Sequence, residues 1–146
     1  MKITLTKNPK QKPDFSNLGF GKYFTDHMLI MEYKDGAWGE IEIRPFEPFA
    51  MSPASNVLHY AQGIFEGAKA YKNDKGEITV FRIDDNFTRM NNSATRLCMP
   101  TFDSKAVKEA LFELLKIEKD WIPTAKGTAL YIRPTMIADQ PVLGVH

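Results

Sequence analysis

At 146 residues, with 43% hydrophobic and 25% charged side chains, the chain has the size and composition of an ordinary globular domain. A formal net charge of +1 gives no basic field for nucleic acid and no acidic tail, and no apolar run approaches the roughly twenty residues that span a bilayer, which points to small-molecule partners. The single cysteine, Cys98, excludes an internal disulfide and a cysteine-rich metal site, fits a reducing cytoplasm, and is expected to be a small core residue.

Residues 1–17 carry Lys2, Lys7, Lys10 and Lys12 with Pro9 and Pro13, lack the apolar core of a signal peptide, and read as an extended leader to a domain over 18–140. Residues 24–33 read as a strand, Lys34-Asp35-Gly36-Ala37 as a tight turn, and residues 38–44 as the returning strand. In that return Trp38, Glu40 and Glu42 are expected on a wet face, with Gly39, Ile41 and Ile43 on a dry one. Ser52 and Pro53 then open a short helix to about His59, which delivers Tyr60 at its end.

Residues 58–71, Leu-His-Tyr-Ala-Gln-Gly-Ile-Phe-Glu-Gly-Ala-Lys-Ala-Tyr, set aromatic rings beside glycines. That composition suits a pocket wall, where backbone approaches a ligand, but composition alone favours the plainer reading of a half-buried strand with Phe65, Gly67 and Tyr71 on one face and a bulge at the glycine. His59 has no carboxylate or second ligand at a recognisable spacing and reads as structural.

Asn73 to Gly76 form a second turn and residues 78–82 the paired strand. Asp84 is expected to cap a helix with Phe87, Met90, Ala94, Leu97 and Cys98 inward. On this helix Arg89, four residues after Asp85, reads from its spacing as a surface ion-pair partner. Asp103 and Ser104 cap a further helix with Val107, Ala110, Leu111, Leu114 and Leu115 inward. Residues 128–137 read as a last strand on which Tyr131 and Arg133 share a side, either an exposed polar face or a phenol and guanidinium able to grip a carboxylate. The expected fold class is therefore α+β, an antiparallel sheet with helices packed against it.

The segments Gly19 to Met28, Leu-His-Tyr followed by Phe-Glu-Gly, Phe81-Arg82 with Arg89-Met90, and Tyr131-Ile132-Arg133-Pro134 together resemble the branched-chain amino acid aminotransferases, pyridoxal-phosphate enzymes of fold type IV. The resemblance covers nearly all of the chain after about Leu18 and corresponds to the small N-terminal domain. It implies that Arg89 holds the cofactor phosphate, that Phe20, Tyr60, Phe65 and Gly67 line the substrate pocket, and that Tyr131 and Arg133 meet the distal carboxylate of glutamate. It also implies that residues 141–146 begin the loop to a second domain, with Leu143 and Val145 reaching the substrate site of a neighbouring subunit in a homodimer. In the family the lysine that binds the cofactor covalently and the carboxylate that protonates its ring lie in that second domain. No lysine here, Lys69 included, matches the catalytic one, so no catalytic residue and no metal ligand is assigned, and this chain alone is expected to be inactive. The implied activity is exchange of an amino group between leucine, isoleucine or valine and 2-oxoglutarate. Related enzymes acting on D-amino acids or aminodeoxychorismate, and a stand-alone dimerisation or ligand-binding module, are the alternatives.

Overall fold

The computed structural model of the chain describes residues 1–144. Its elements run β1 (Lys2–Ile3), β2 (His27–Ile30), β3 (Tyr33–Lys34), β4 (Ala37–Trp38), β5 (Glu42–Pro45), α1 (Asn56–Tyr60), β6 (Gly63–Phe65), β7 (Ala68–Lys72), β8 (Ile78–Val80), α2 (Ile83–Arg96), α3 (Ser104–Ile117), β9 (Leu130–Ile132) and β10 (Thr135–Ile137), with a 3-10 turn at Lys119–Trp121. Except for the parallel pair β1 and β5, the ladders are antiparallel, and α2 and α3 bury their apolar faces against them, as an α+β domain requires. No helix among the described residues is long and apolar enough to cross a membrane.

The central feature is a bent pair of strands. β6 pairs with β10 and β7 with β9, and the two ladders share one register, Phe65 opposite Thr135 and Ala68 opposite Ile132. Between them Glu66 N–H still donates to the Pro134 carbonyl at 2.9 Å, so the ladder bends rather than ends. Proline has no N–H to continue the pairing, which is why the single strand expected over 128–137 divides at Arg133-Pro134. Along β6 and β7 the even positions Ile64, Ala68 and Ala70 join the core with Phe87, Met90 and Ala94 of α2 and Leu111 and Leu115 of α3. The odd positions Phe65, Lys69 and Tyr71 are exposed.

The hairpin turn forms at Asp35-Gly36 with both residues at positive φ, the geometry that Asp-Gly favours. Its strands are interrupted at Gly39 to Ile41, where Gly39 N–H bonds back to the Glu32 carbonyl at 2.8 Å. The strand expected over 24–33 therefore pairs in two pieces, and the alternation expected for 38–44 does not hold throughout. Trp38 lies against the core and donates its indole N–H to the Thr101 carbonyl at 2.8 Å, while Ile43 is fully buried as expected.

Three helix ends differ from the sequence reading. α1 starts at Asn56 rather than at Pro53, because Ser52 and Pro53 form a preceding turn in which Ser52 Oγ accepts from Ala54 N–H. Asp84 lies in the first turn of α2, and Arg82, at φ 48°, holds the cap position. At the other end of α2 the chain leaves the helix before Leu97 can turn inward, so Cys98, at φ 54°, is exposed and Met99 takes the buried place. Asp103 caps α3 as expected, accepting from Lys105 and Ala106 N–H at 2.9 and 3.3 Å.

The first residues add β1 to the sheet, and the segment after it bends at Lys7-Asn8 and turns at Asp14 to Asn17, where Asn17 N–H donates to the Asp14 carbonyl at 3.1 Å, so it is not extended throughout as expected. Beyond β1 the segment is strapped onto a buried polar cluster: Thr6 N–H donates to His27 Nε2 at 2.8 Å and Lys10 N–H to Asp26 Oδ1 at 2.8 Å.

Candidate functional site

The bend at Glu66-Gly67 gathers most of the residues singled out in the sequence. Arg133 lies with its guanidinium carbon 4.4 Å from the Phe65 ring centre and 5.1 Å from that of Tyr131, and its Nη2 donates to the Tyr131 hydroxyl at 3.0 Å. Phe20 meets Tyr131 edge to face at 5.1 Å between ring centres. An arginine held between aromatic faces gains cation–π attraction while its outer N–H groups stay available to an anion. Phe20 is 71% and Phe65 63% exposed, which rules out core filling for both. These rings form an open apolar wall around one cation.

Gly67 is needed here for space rather than for its backbone angles, which lie outside the left-handed region. A Cβ at this position would overlap the Tyr131 hydroxyl and sit 3.0 Å from Cζ. The close approach that the glycine serves is thus made by a side chain of the same site. No bulge is needed, since the register runs through unbroken.

Tyr60, the last residue of α1, donates its hydroxyl to the Leu143 carbonyl. That bond brings Tyr60 and Leu143 together as a second exposed pair, while Val145 lies outside the described residues. His59 donates from Nε2 to the Pro53 carbonyl at 2.7 Å, a local contact at the helix start. Lys69 stands opposite Tyr131 in the ladder and is exposed.

Arg89 does not pair with Asp85, which is bound by Arg82. It reaches across to Glu66 instead, Nε on Oε1 at 2.5 Å and Nη2 on Oε2 at 2.6 Å. Glu66 is only 6% exposed and also accepts from Asn86 Nδ2 at 3.1 Å and from Gly67 N–H at 3.2 Å. The Arg89 hydrogen bonds, above all, hold its carboxyl down to about 2 against the opposing effect of burial, with Asn86 and Gly67 assisting. Arg89 itself is 67% exposed at the side chain, and among the described residues two of the five N–H donors of its guanidinium find partners. This donor set suits an anion with paired oxygens.

Glu66 was not singled out by sequence reasoning. The available signal was a carboxylate between Phe65 and Gly67 in an otherwise apolar stretch, which needs a cationic partner if it is buried. The second missed group is the cluster of Asp26, His27, Glu118 and Trp121, whose members lie up to 95 residues apart. Among the described residues no group of three histidine, cysteine or carboxylate side chains is placed to hold a metal.

No protein-family model matches the chain. Its fold is shared with solved branched-chain amino acid aminotransferases. Over 72% of this chain and 32% of the other, the Escherichia coli enzyme gives a TM-score of 0.58 at 26% identity. A second solved branched-chain amino acid aminotransferase, in complex with N-(5'-phosphopyridoxyl)-L-glutamate, gives 0.57 at 31% identity over 70% and 32%. The domain therefore has the fold of a part of these solved aminotransferases. In sequence, branched-chain-amino-acid transaminase 1 of Bacillus subtilis is 51% identical over 93% of the chain and 38% of its own length. The mitochondrial branched-chain-amino-acid aminotransferase of Mus musculus is 45% identical over 99% and 37%. By sequence and fold together, the chain is similar to a part of the branched-chain amino acid aminotransferases. It spans about two fifths of the length of the curated relatives it matches.

Proposed function

We propose that this chain is the substrate-side domain, residues 18–140, of a pyridoxal-phosphate-dependent transaminase that moves an amino group between leucine, isoleucine or valine and 2-oxoglutarate. The observation that carries the reading is the Arg133 guanidinium held between Phe65 and Tyr131, a cation for a distal carboxylate set in an apolar wall. Phe20 and Tyr60 extend that wall, Arg89 holds the cofactor phosphate, and residues 141–146 lead to a second domain that supplies the catalytic lysine. The reading takes the enzyme to be a cytoplasmic homodimer in which Leu143 and Val145 reach the neighbouring subunit's substrate. It is supported by the family likeness and by the similar solved complex whose ligand joins a phosphopyridoxyl group to glutamate. The cofactor supplies the electron sink that lets the bond at the substrate's α-carbon ionise. This chain's residues bind and orient.

One site must accept both an uncharged branched side chain and a carboxylate. A bare buried cation would reject leucine, because an unpaired charge out of water is costly. Arg133 meets this requirement with a resting partner, the Tyr131 hydroxyl oxygen, and with aromatic faces that tolerate either occupant. Glutamate would add a charge-assisted pair to the same guanidinium.

Arg133→Met tests the proposal. Followed in single turnovers through the cofactor's absorbance, the half-reaction with glutamate is expected to slow by about 10- to 100-fold, as the loss of a charge-assisted hydrogen bond implies, and that with leucine far less. Equal losses would assign Arg133 to the fold or the dimer. Phe65→Ala is a second check. Being 63% exposed, Phe65 contributes little to folding, so the variant is expected to keep its melting temperature while KM for isoleucine rises. A fall in melting temperature with unchanged KM would return Phe65 to a structural role.

A further inference from the structure

An exposed arginine ordinarily keeps its rotamer freedom, and ordering it in a bidentate pair costs entropy. Arg89 is ordered nonetheless, by a carboxylate that the fold has buried and surrounded. Glu66 reaches into the junction between the bent strands and α2, where Asn86 Nδ2 bridges it to the Gly67 carbonyl at 3.1 Å on each side. Gly67 N–H, Asn86 and Arg89 together give its two oxygens four hydrogen bonds. Only the carboxylate of this pair is buried, which makes the pair weak evidence for stability, but its two-point geometry sets the orientation of the guanidinium.

We propose that Glu66, steadied by Asn86, is the positioning residue for the phosphate site: it grips the Nε and Nη2 edge of Arg89 and so commits the remaining N–H groups to the cofactor's phosphate. The inference rests on Arg89 being the phosphate ligand. It adds that Glu66 touches neither substrate nor cofactor and acts only through the guanidinium. Glu66 also follows Phe65 and precedes Gly67 in the chain, so the same two peptide units that seat the Arg133 wall seat the holder of Arg89. The two basic groups are thereby referred to one rigid bend.

The test uses the enzyme that carries this chain, stripped of cofactor and titrated with pyridoxal 5'-phosphate and, separately, with pyridoxal. Glu66→Gln is expected to weaken binding of the phosphorylated form by about tenfold, the scale of coupling between contacting residues, with pyridoxal binding unchanged. Added to Arg89→Ala, it is expected to cause no further loss. Glu66→Asp keeps the charge but shortens the reach, and is expected to fold and still lose phosphate preference, so it decides the matter if Glu66→Gln does not fold. Retained preference in Glu66→Asp, or an equal loss for both ligands in Glu66→Gln, overturns the positioning role while leaving Arg89 in place. Unchanged phosphate preference in Arg89→Ala overturns instead the assignment on which the inference rests.

Discussion

Gly67→Ala is expected to dismantle the aromatic site from within. The added Cβ overlaps the Tyr131 hydroxyl and approaches its Cζ to 3.0 Å, and the glycine's neighbours on the ladder, Glu66 and Ala68, are fixed by pairing to Pro134 and Ile132. Backbone therefore cannot yield, and the Tyr131 ring must swing away. That swing breaks the bond to Arg133 Nη2 and the edge contact with Phe20 together. Forcing a methyl into a filled place costs about 1–3 kcal/mol. Under the proposed function the variant also loses its carboxylate grip, with an expected rise in KM for 2-oxoglutarate of about tenfold or more. Tyr131→Phe provides the control, because it removes the overlapping oxygen. The double variant is expected to melt above Gly67→Ala alone, and to keep the weakened 2-oxoglutarate binding, since the hydroxyl that orders Arg133 is gone. A Gly67→Ala protein with the parent's melting temperature and KM would mean that Tyr131 rests elsewhere in the working enzyme.

The helices and the core were legible because their signals are local and periodic. Phe87, Met90 and Ala94 recur at helical spacing and lie buried, and Asp103 sits where an N-cap must. The exceptions at Leu97 and Cys98 follow from a helix whose last residue is Arg96, two short of Cys98, which spacing does not encode. Strands were legible as regions but not as units: Pro134, Gly39 and Gly67 mark where they bend or part, and a pattern of alternation carries straight across such points. Phe20, Phe65, Tyr131 and Arg133 were each marked for the site, yet only the ladder register shows that three distant segments converge at Gly67. Spacing named Asp85 as the partner of Arg89 because i,i+4 pairs are the nearest available. The structure chooses Glu66, 23 residues away, because a buried carboxylate gains more from the guanidinium than an exposed one does. Long-range polar pairing of this kind leaves no mark in periodicity.

Glu118→Ala is expected to release residues 1–12 from the domain. His27 Nε2 accepts the Thr6 N–H, so the ring proton lies on Nδ1 and is donated to Glu118, which is 2% exposed. The other Glu118 oxygen accepts Asp26 N–H at 3.1 Å. Asp26 in turn binds Lys10 N–H at 2.8 Å, the Trp121 indole at 2.9 Å and Lys12 Nζ at 3.0 Å, and Lys12 lies 4.4 Å over the Trp121 ring. Removing the Glu118 carboxylate strands two buried donors, Nδ1–H and Asp26 N–H, at about 1–3 kcal/mol each. Glu118→Gln, which can satisfy one of them, is expected to lose about half as much. Urea unfolding followed through tryptophan fluorescence reads the stability, and limited proteolysis at Lys7 and Lys10 reads the strap. The cluster also carries a pH signature through Asp26. Burial works against its ionised form, but the Lys10 N–H, the Trp121 indole and Lys12 outweigh it and hold the carboxyl down from 3.8 to about 2. A folded-state value below the unfolded one contributes stability that is complete above the unfolded value and fades as pH falls through the folded one. Asp26→Asn is therefore expected to lower stability at neutral pH and to flatten its fall between about pH 4 and 2. If Glu118→Ala matches the parent in urea and its lysines stay protected, the strap is held by the β1 and β5 pairing and not by the buried cluster.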